Sequence, residues 1–175
     1  MIALVLGCAT SVWEDAEKAL TLCKPSCVIV INDMIARWPT PAQHAVTFHP
    51  EKMDAWCSAR TVAGYPQIET YWSYKPAKGV DRVVRKPGYG SSGLFAARIA
   101  TEQLKCAVVL AGVPISREAA HIGNPGKPWT QDKSFQGAWR RQVELRSKVR
   151  SMSGWTRELL GEPTPEWVAD NGGSL

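Results

Sequence analysis

Ile2-Ala3-Leu4-Val5-Leu6-Gly7-Cys8-Ala9-Thr10-Ser11-Val12-Trp13-Glu14 decides the fold of this chain. The first five of these residues are a continuous apolar run. Such a run suits a short strand buried on both faces, as in a parallel sheet. Gly7 closes it. Ser11 and Glu14 have the S-x-x-E spacing of a capping box, which predicts a helix after Ser11 running to about Leu22. Strand, glycine turn and helix together are the opening unit of an α/β fold.

The pattern then repeats. Lys24-Pro25-Ser26 breaks the first helix, and Cys27-Val28-Ile29-Val30-Ile31 reads as a second buried strand ending in Asn32-Asp33. A third strand is expected over 44–48, ending in His49-Pro50, then a helix over 51–60 and a strand over 68–74. Val80, Val83 and Val84 suggest a short strand before a glycine-rich loop, and a helix follows Gly93 to about Leu104. Ala107-Val108-Val109-Leu110 is the last clear buried strand and ends in Ala111-Gly112. Residues 113–133 are rich in Pro, Gly and polar residues and read as a long loop able to act as a lid. A helix is expected over 134–146 with Phe135, Trp139 and Val143 on one face, then a short helix over 155–160 and a turn over 166–168. The end of the chain, 171–175, reads as frayed. The expectation is one domain over 1–175, α/β and Rossmann-like: a doubly wound, mostly parallel sheet flanked by helices, with a short C-terminal helical extension over 134–170.

Composition narrows the class. The 175 residues, 45% apolar, suffice for a single core, and no apolar run reaches the ~18–20 residues that span a bilayer. The apolar N-terminus lacks the charged start of a signal peptide, so the expected location is cytoplasmic. Five cysteines (Cys8, Cys23, Cys27, Cys57 and Cys106) include no CxxC pair, which argues for buried free thiols over a zinc site. The net charge of +5 suits an anionic ligand or nucleic acid, with Arg140, Arg141, Arg146, Lys148, Arg150 and Arg157 concentrated in the last third.

In a doubly wound fold, ligands bind at the carboxyl ends of the strands. This gathers residues from five places: Gly7 to Ser11, Asn32 and Asp33, His49, the Gly88-Tyr89-Gly90-Ser91-Ser92-Gly93 turn, and Gly112. The 88–93 turn has GxGxxG spacing, follows basic Arg85 and Lys86, and leads into a helix without an acid in its first two turns. Backbone N–H groups there suit a phosphate. The ribose-binding acid of a dinucleotide fingerprint is missing, which favours another phosphate-bearing ligand over NAD, with a purely structural turn as the alternative. Near Gly7, the acids Glu14 and Asp15 would repel a phosphate, so that turn suits a nucleoside or sugar, with Ser11 mainly a cap. Asp33 is either a ligand contact or the cap of a following helix. His49 is either a general acid/base at a strand end or a helix-entry residue. His121 is either a catalytic group on the lid or a solvated loop histidine. Of eight tryptophans, Trp139 and Trp155 read as core or interface residues and Trp129 as a stacking surface. Interleaved with Arg140, Arg141 and Arg150, they also suit a nucleic-acid surface. No GxSxG, Walker-type GxxxxGK[ST] or HExxH motif occurs.

Val5-Leu6-Gly7-Cys8-Ala9-Thr10-Ser11, then Val30-Ile31-Asn32-Asp33, then Ser91-Ser92-Gly93 before an Ala-rich helix, then Val109-Leu110-Ala111-Gly112 resemble the Rossmann-like group that includes sialyltransferases and 6-hydroxymethylpterin diphosphokinase-like proteins. The resemblance covers roughly residues 2–112. It implies a nucleotide near Gly7, Ser11 and Asn32, with its phosphate at Ser91, Ser92 and Gly93. The catalytic histidine of the sialyltransferases has no match around His121, the metal-binding acids of the pterin enzymes have none, and a distinct acceptor domain is absent. The small size and the Arg- and Trp-rich tail resemble phage or prophage proteins. The reading that follows is a nucleotide- or nucleotide-sugar-binding protein, a glycosyl or phosphoryl transferase, with Mg²⁺ admitted as a companion of phosphate. The alternatives are a non-enzymatic nucleotide-sensing or nucleic-acid-binding module, and a homo-oligomeric scaffold.

Overall fold

The computed structural model describes residues 1–85, 90–127 and 129–173. It is an α/β fold around one seven-stranded sheet in which every pairing is parallel. The strands are β1 (Ile2–Leu6), β2 (Cys27–Ile31), β3 (His44–Thr47), β4 (Thr70–Ser73), β5 (Arg82–Val83), β6 (Ala107–Ala111) and β7 (Val149–Ser151), in the order β5-β4-β3-β2-β1-β6-β7. The chain steps outward from β1 to β5, then returns past β1 to lay down β6 and β7. Right-handed crossovers in opposite directions place helices on opposite faces of the sheet, and the reversal between β1 and β6 is the switch point of a doubly wound fold. Both β1 and β6 are buried along their whole length, as their unbroken apolar runs require.

The helices are α1 (Val12–Leu22), α2 (Met34–Arg37), α3 (Met53–Val62), α4 (Ser92–Arg98), α5 (Asp132–Arg140), α6 (Gly154–Leu160) and α7 (Pro165–Asp170). α1 has the expected bounds, but the capping box does not form: Ser11 makes no side-chain cap bond. Its hydroxyl donates instead to Asp15, 3.1 Å away, while Glu14 faces solvent and pairs with Lys18. The 51–60 helix opens as a 3₁₀ turn over Pro50–Lys52, with Pro50 at its first position, where a missing N–H costs no intrahelical bond. α4 begins at Ser92, so Ser92 and Gly93 belong to its first turn, and it continues as a π-helix over Ile99–Gln103.

The C-terminal third departs most from its sequence reading. The helix expected over 134–146 starts at Asp132 and stops at Arg140; a 3₁₀ turn over Val143–Leu145 follows, with Val143 exposed. The expected all-helical extension contains β7, paired with β6 from Val108↔Val149 to Leu110↔Ser151. The outer edge of β7 is covered in part, since the Ser151 N–H donates to the Gly161 carbonyl. Residues 171–173 are tied down: the Met1 ammonium donates to the Asn171 carbonyl at 2.7 Å, and the Gly173 N–H to that of Val168.

Arg60 organises the α2 side. It is fully buried, pairs with no carboxylate among the described residues, and donates to the carbonyls of Ile35, Trp38, Thr40 and Pro66. One guanidinium thus fastens the 35–40 segment to α3 and the loop after it. All five cysteines are free thiols. Among the described residues, no helix is long and apolar enough to cross a membrane.

Candidate functional site

At the switch point the ends of β1 and β6 lie side by side, and two glycines make this possible. The Gly7 N–H donates to the Ala111 carbonyl, and a Cβ on Gly7 would collide with the Gly112 carbonyl oxygen. Gly112 turns at φ +68°, where a Cβ would stand 2.5 Å from that of Val12. Asp15, buried on the inner face of α1, closes the corner. Its Oδ2 accepts from the Gly112 N–H at 2.8 Å, the Ser153 hydroxyl at 2.5 Å and the Ser11 hydroxyl. The positive end of α1 is therefore already met by a carboxylate.

Beyond this corner lies a cavity of about 440 Å³. Its floor is the strand ends: Cys8 and Ala9 after β1, Ile31 and Asn32 after β2, Phe48 and His49 after β3, Gly112 and Val113 after β6. One wall is the Gly90–Gly93 turn into α4. The other wall comes from the 113–131 segment, including His121 and Trp129, and from Phe135 of α5. The volume falls within the ~300–1,000 Å³ typical of small-molecule sites. Among the described residues that line it there is no Lys, Arg, Asp or Glu. The described groups that can meet a ligand charge are backbone N–H groups, the histidines and neutral polar side chains such as Ser92 and Asn32.

The α4 wall supplies such N–H groups. Ser91 caps the helix, accepting from the Leu94 N–H at 3.3 Å, and no acid stands in the first turn. The Ser92 and Gly93 N–H groups stand ahead of the intrahelical ladder. The Ser92 hydroxyl lies 3.3 Å from the Asn32 Oδ1, which also accepts from Thr47 at 2.7 Å. Asn32 holds φ 50°, a left-handed conformation that asparagine tolerates at the end of a strand.

The two histidines reach the cavity from different places, His49 from the floor and His121 from the 113–131 wall. His49 Nδ1 lies 3.3 Å from Glu51 Oε1. The N–H of Glu51 itself, and after it the His49 ring, hold this carboxylate below the ordinary glutamate range. His121 Nδ1 accepts from the Gly123 N–H at 3.0 Å, which puts the proton of the neutral ring on Nε2. The Asp33 carboxylate stands behind it at 3.9 Å, too long for a hydrogen bond. The segment carrying His121 is not loose. The Thr10 N–H donates to the Ala120 carbonyl and the Ile122 N–H to that of Cys8, stitching it to the β1–α1 turn.

Gly90, Ser91, Ser92, Gly93, Asn32, Gly112, His49 and His121 come together as the sequence suggests, whereas Gly7, Ser11 and Asp33 do not line the cavity. Gly7 approaches protein backbone, and Ser11 serves Asp15. Asp33 occupies the cap position of α2 without a side-chain cap bond; its Oδ1 accepts instead from the Trp56 indole at 2.9 Å. Gly88 and Lys86 lie outside the described residues. Sequence reading missed Phe48, Phe135 and the 113–115 corner; an aromatic residue directly before His49 was the available signal. Cys8 also lines the cavity, but burial pushes its thiol up to about 12 and Sγ donates to the Ile31 carbonyl, so it is no nucleophile at neutral pH. Among the described residues no group of three or more His, Cys, Asp or Glu could hold a metal ion, and a Mg²⁺ ion in the cavity would be carried by the phosphates of its ligand.

No protein-family model matches this chain, and no match to it was found among curated proteins or solved structures.

Proposed function

We propose that the cavity at the β1–β6 switch point binds a nucleotide or nucleotide-sugar and that the protein transfers a group from it. The observation that supports this most is the placement of the Gly90–Gly93 turn. It presents the acid-free start of α4 to the cavity, while the competing start of α1 is neutralised by Asp15. An anion is thereby favoured on one wall only. Phe48, Trp129 and Phe135 give flat apolar surface for a base, and Asn32 gives polar contact at the strand end.

His49 is the proton-transfer group in this reading, with His121 as the second candidate. The Glu51 carboxylate faces Nδ1 of His49 and orients the ring, which leaves Nε2 for the ligand. In the transfer, an acceptor hydroxyl oxygen forms the new bond to carbon or phosphorus. The bond to the leaving phosphate oxygen breaks with its electron pair, and the hydroxyl proton passes to His49 Nε2.

Thermal unfolding against nucleosides, nucleotides and nucleotide-sugars, with and without Mg²⁺, tests the reading. A ligand at 100 times its Kd adds about 2.7 kcal/mol to stability and raises the melting temperature by several degrees. That rise should be lost in Gly93→Val, where even a Cβ would stand 2.7 Å from the Val113 side chain at the cavity wall. No rise with any of these compounds removes the proposal.

A further inference from the structure

From Lys133 to Arg157 the chain carries seven Lys and Arg residues and one acid, Glu144. The structure links several of them into one strip across α5, the edge strand β7 and α6. Arg140 stacks over the Trp155 ring at 5.1 Å, and Arg150 over the Trp167 ring at the same distance. Between them, Arg146 donates to the Arg140 carbonyl and Arg150 to the Arg146 carbonyl. Arg141, Lys148 and Arg157 are exposed beside these. Among the described residues none of the seven pairs with a carboxylate. The acids Glu158, Glu162, Glu166 and Asp170 follow in α6, α7 and their linker.

We infer that this strip is a docking surface for the phosphate backbone of a nucleic acid. Charge complementarity argues for a polyanion. Arg140 over its indole, Arg146 on a carbonyl and Arg150 on both are held in place, which lowers the entropy lost when a regular row of phosphates settles on them. The strip offers cations for phosphates, so it reads backbone and not sequence. It also adjoins the cavity without belonging to it. α5 starts at the cavity wall with Phe135 and ends at Arg140, and the Trp155 N–H donates to the Ser116 hydroxyl just beyond that wall.

The test is fluorescence anisotropy of the full chain with a labelled 20-nucleotide single strand and the matching duplex, between 50 and 200 mM salt. Four or five phosphates neutralised on the single strand give a log–log salt slope of about −3, at ~0.7 per phosphate. Arg141→Gln with Lys148→Gln should shallow the slope by about 1.4. Among the described residues neither side chain has a hydrogen-bond or ion-pair partner, so the melting temperature should hold, as should any stabilisation by a cavity ligand. A slope near zero overturns the inference. So does a double variant that binds like the parent at every salt concentration, or equal binding to polyglutamate or to vesicles with 30% phosphatidylserine. Failure here leaves the cavity reading untouched, because the two are measured with different ligands.

Discussion

Asp15 is a buried acid whose one oxygen gathers three donors from three turns: Ser11 after β1, Gly112 after β6 and Ser153 after β7. Replacing it by Ala strands the Gly112 N–H and two hydroxyls, and the expected loss is about 3 kcal/mol in urea unfolding, with Asn recovering part of it. Gly112→Ala should cost at least as much, since it combines a positive φ with a collision against Val12. Cys8 carries a pH signature. Its thiol titrates at about 12 in the fold against 9.0 for an exposed cysteine. Above pH 9 the unfolded chain releases this proton while the folded chain keeps it, so stability falls as pH rises from 9 towards 12. The slope due to Cys8 is about 1.4 kcal/mol per pH unit, and Cys8→Ser or Cys8→Ala should remove it. At this scale the sequence was half legible. S-x-x-E spacing pointed to Ser11 and Glu14, yet the working acid is Asp15, one residue on. Its place in the Val12, Asp15, Ala16, Ala19 stripe, the buried face of α1, was the sign that it does not face water.

Arg60 acts on a whole segment. Its donors satisfy the carbonyls of Ile35, Trp38 and Thr40, so α2 and the Trp38–Thr40 turn hang on α3. Arg60→Lys keeps the charge but not the fork, and it should raise amide exchange over 35–40 well before the rest of the sheet opens. Arg60→Ala should cost more than about 3 kcal/mol, since several buried carbonyls lose their donors. Strands with unbroken apolar runs, β1, β2 and β6, were legible because burial on both faces leaves no polar position. β7 was not, because it is three residues long with Arg150 in the middle, and its pairing with β6 is a long-range fact. The π-helix over Ile99–Gln103 was equally hidden: alanine-rich sequence reads as plain helix whether or not one turn carries an extra residue.

Across the whole molecule, the site follows from topology more than from any motif. Five stretches distant in sequence meet because a parallel sheet sends every strand end to the same side, and this convergence was readable from strand order alone. The cavity's far wall was not, because nothing local in 113–131 announces that it is stitched to residues 8–10. If that wall clamps a ligand, protection from hydrogen exchange over 113–124 should rise on binding, together with that of 90–95, while α7 stays unchanged. The side away from the cavity has its own consequence. Met1 and Asn171 touch, at the ends of the strands opposite the cavity. The hydrogen bond between residues 1 and 171 thus works as a clasp across the end of the sheet remote from the cavity. Joining residues 173 and 1 through a short linker, and opening the chain in a surface loop instead, should therefore leave the sheet and its cavity intact.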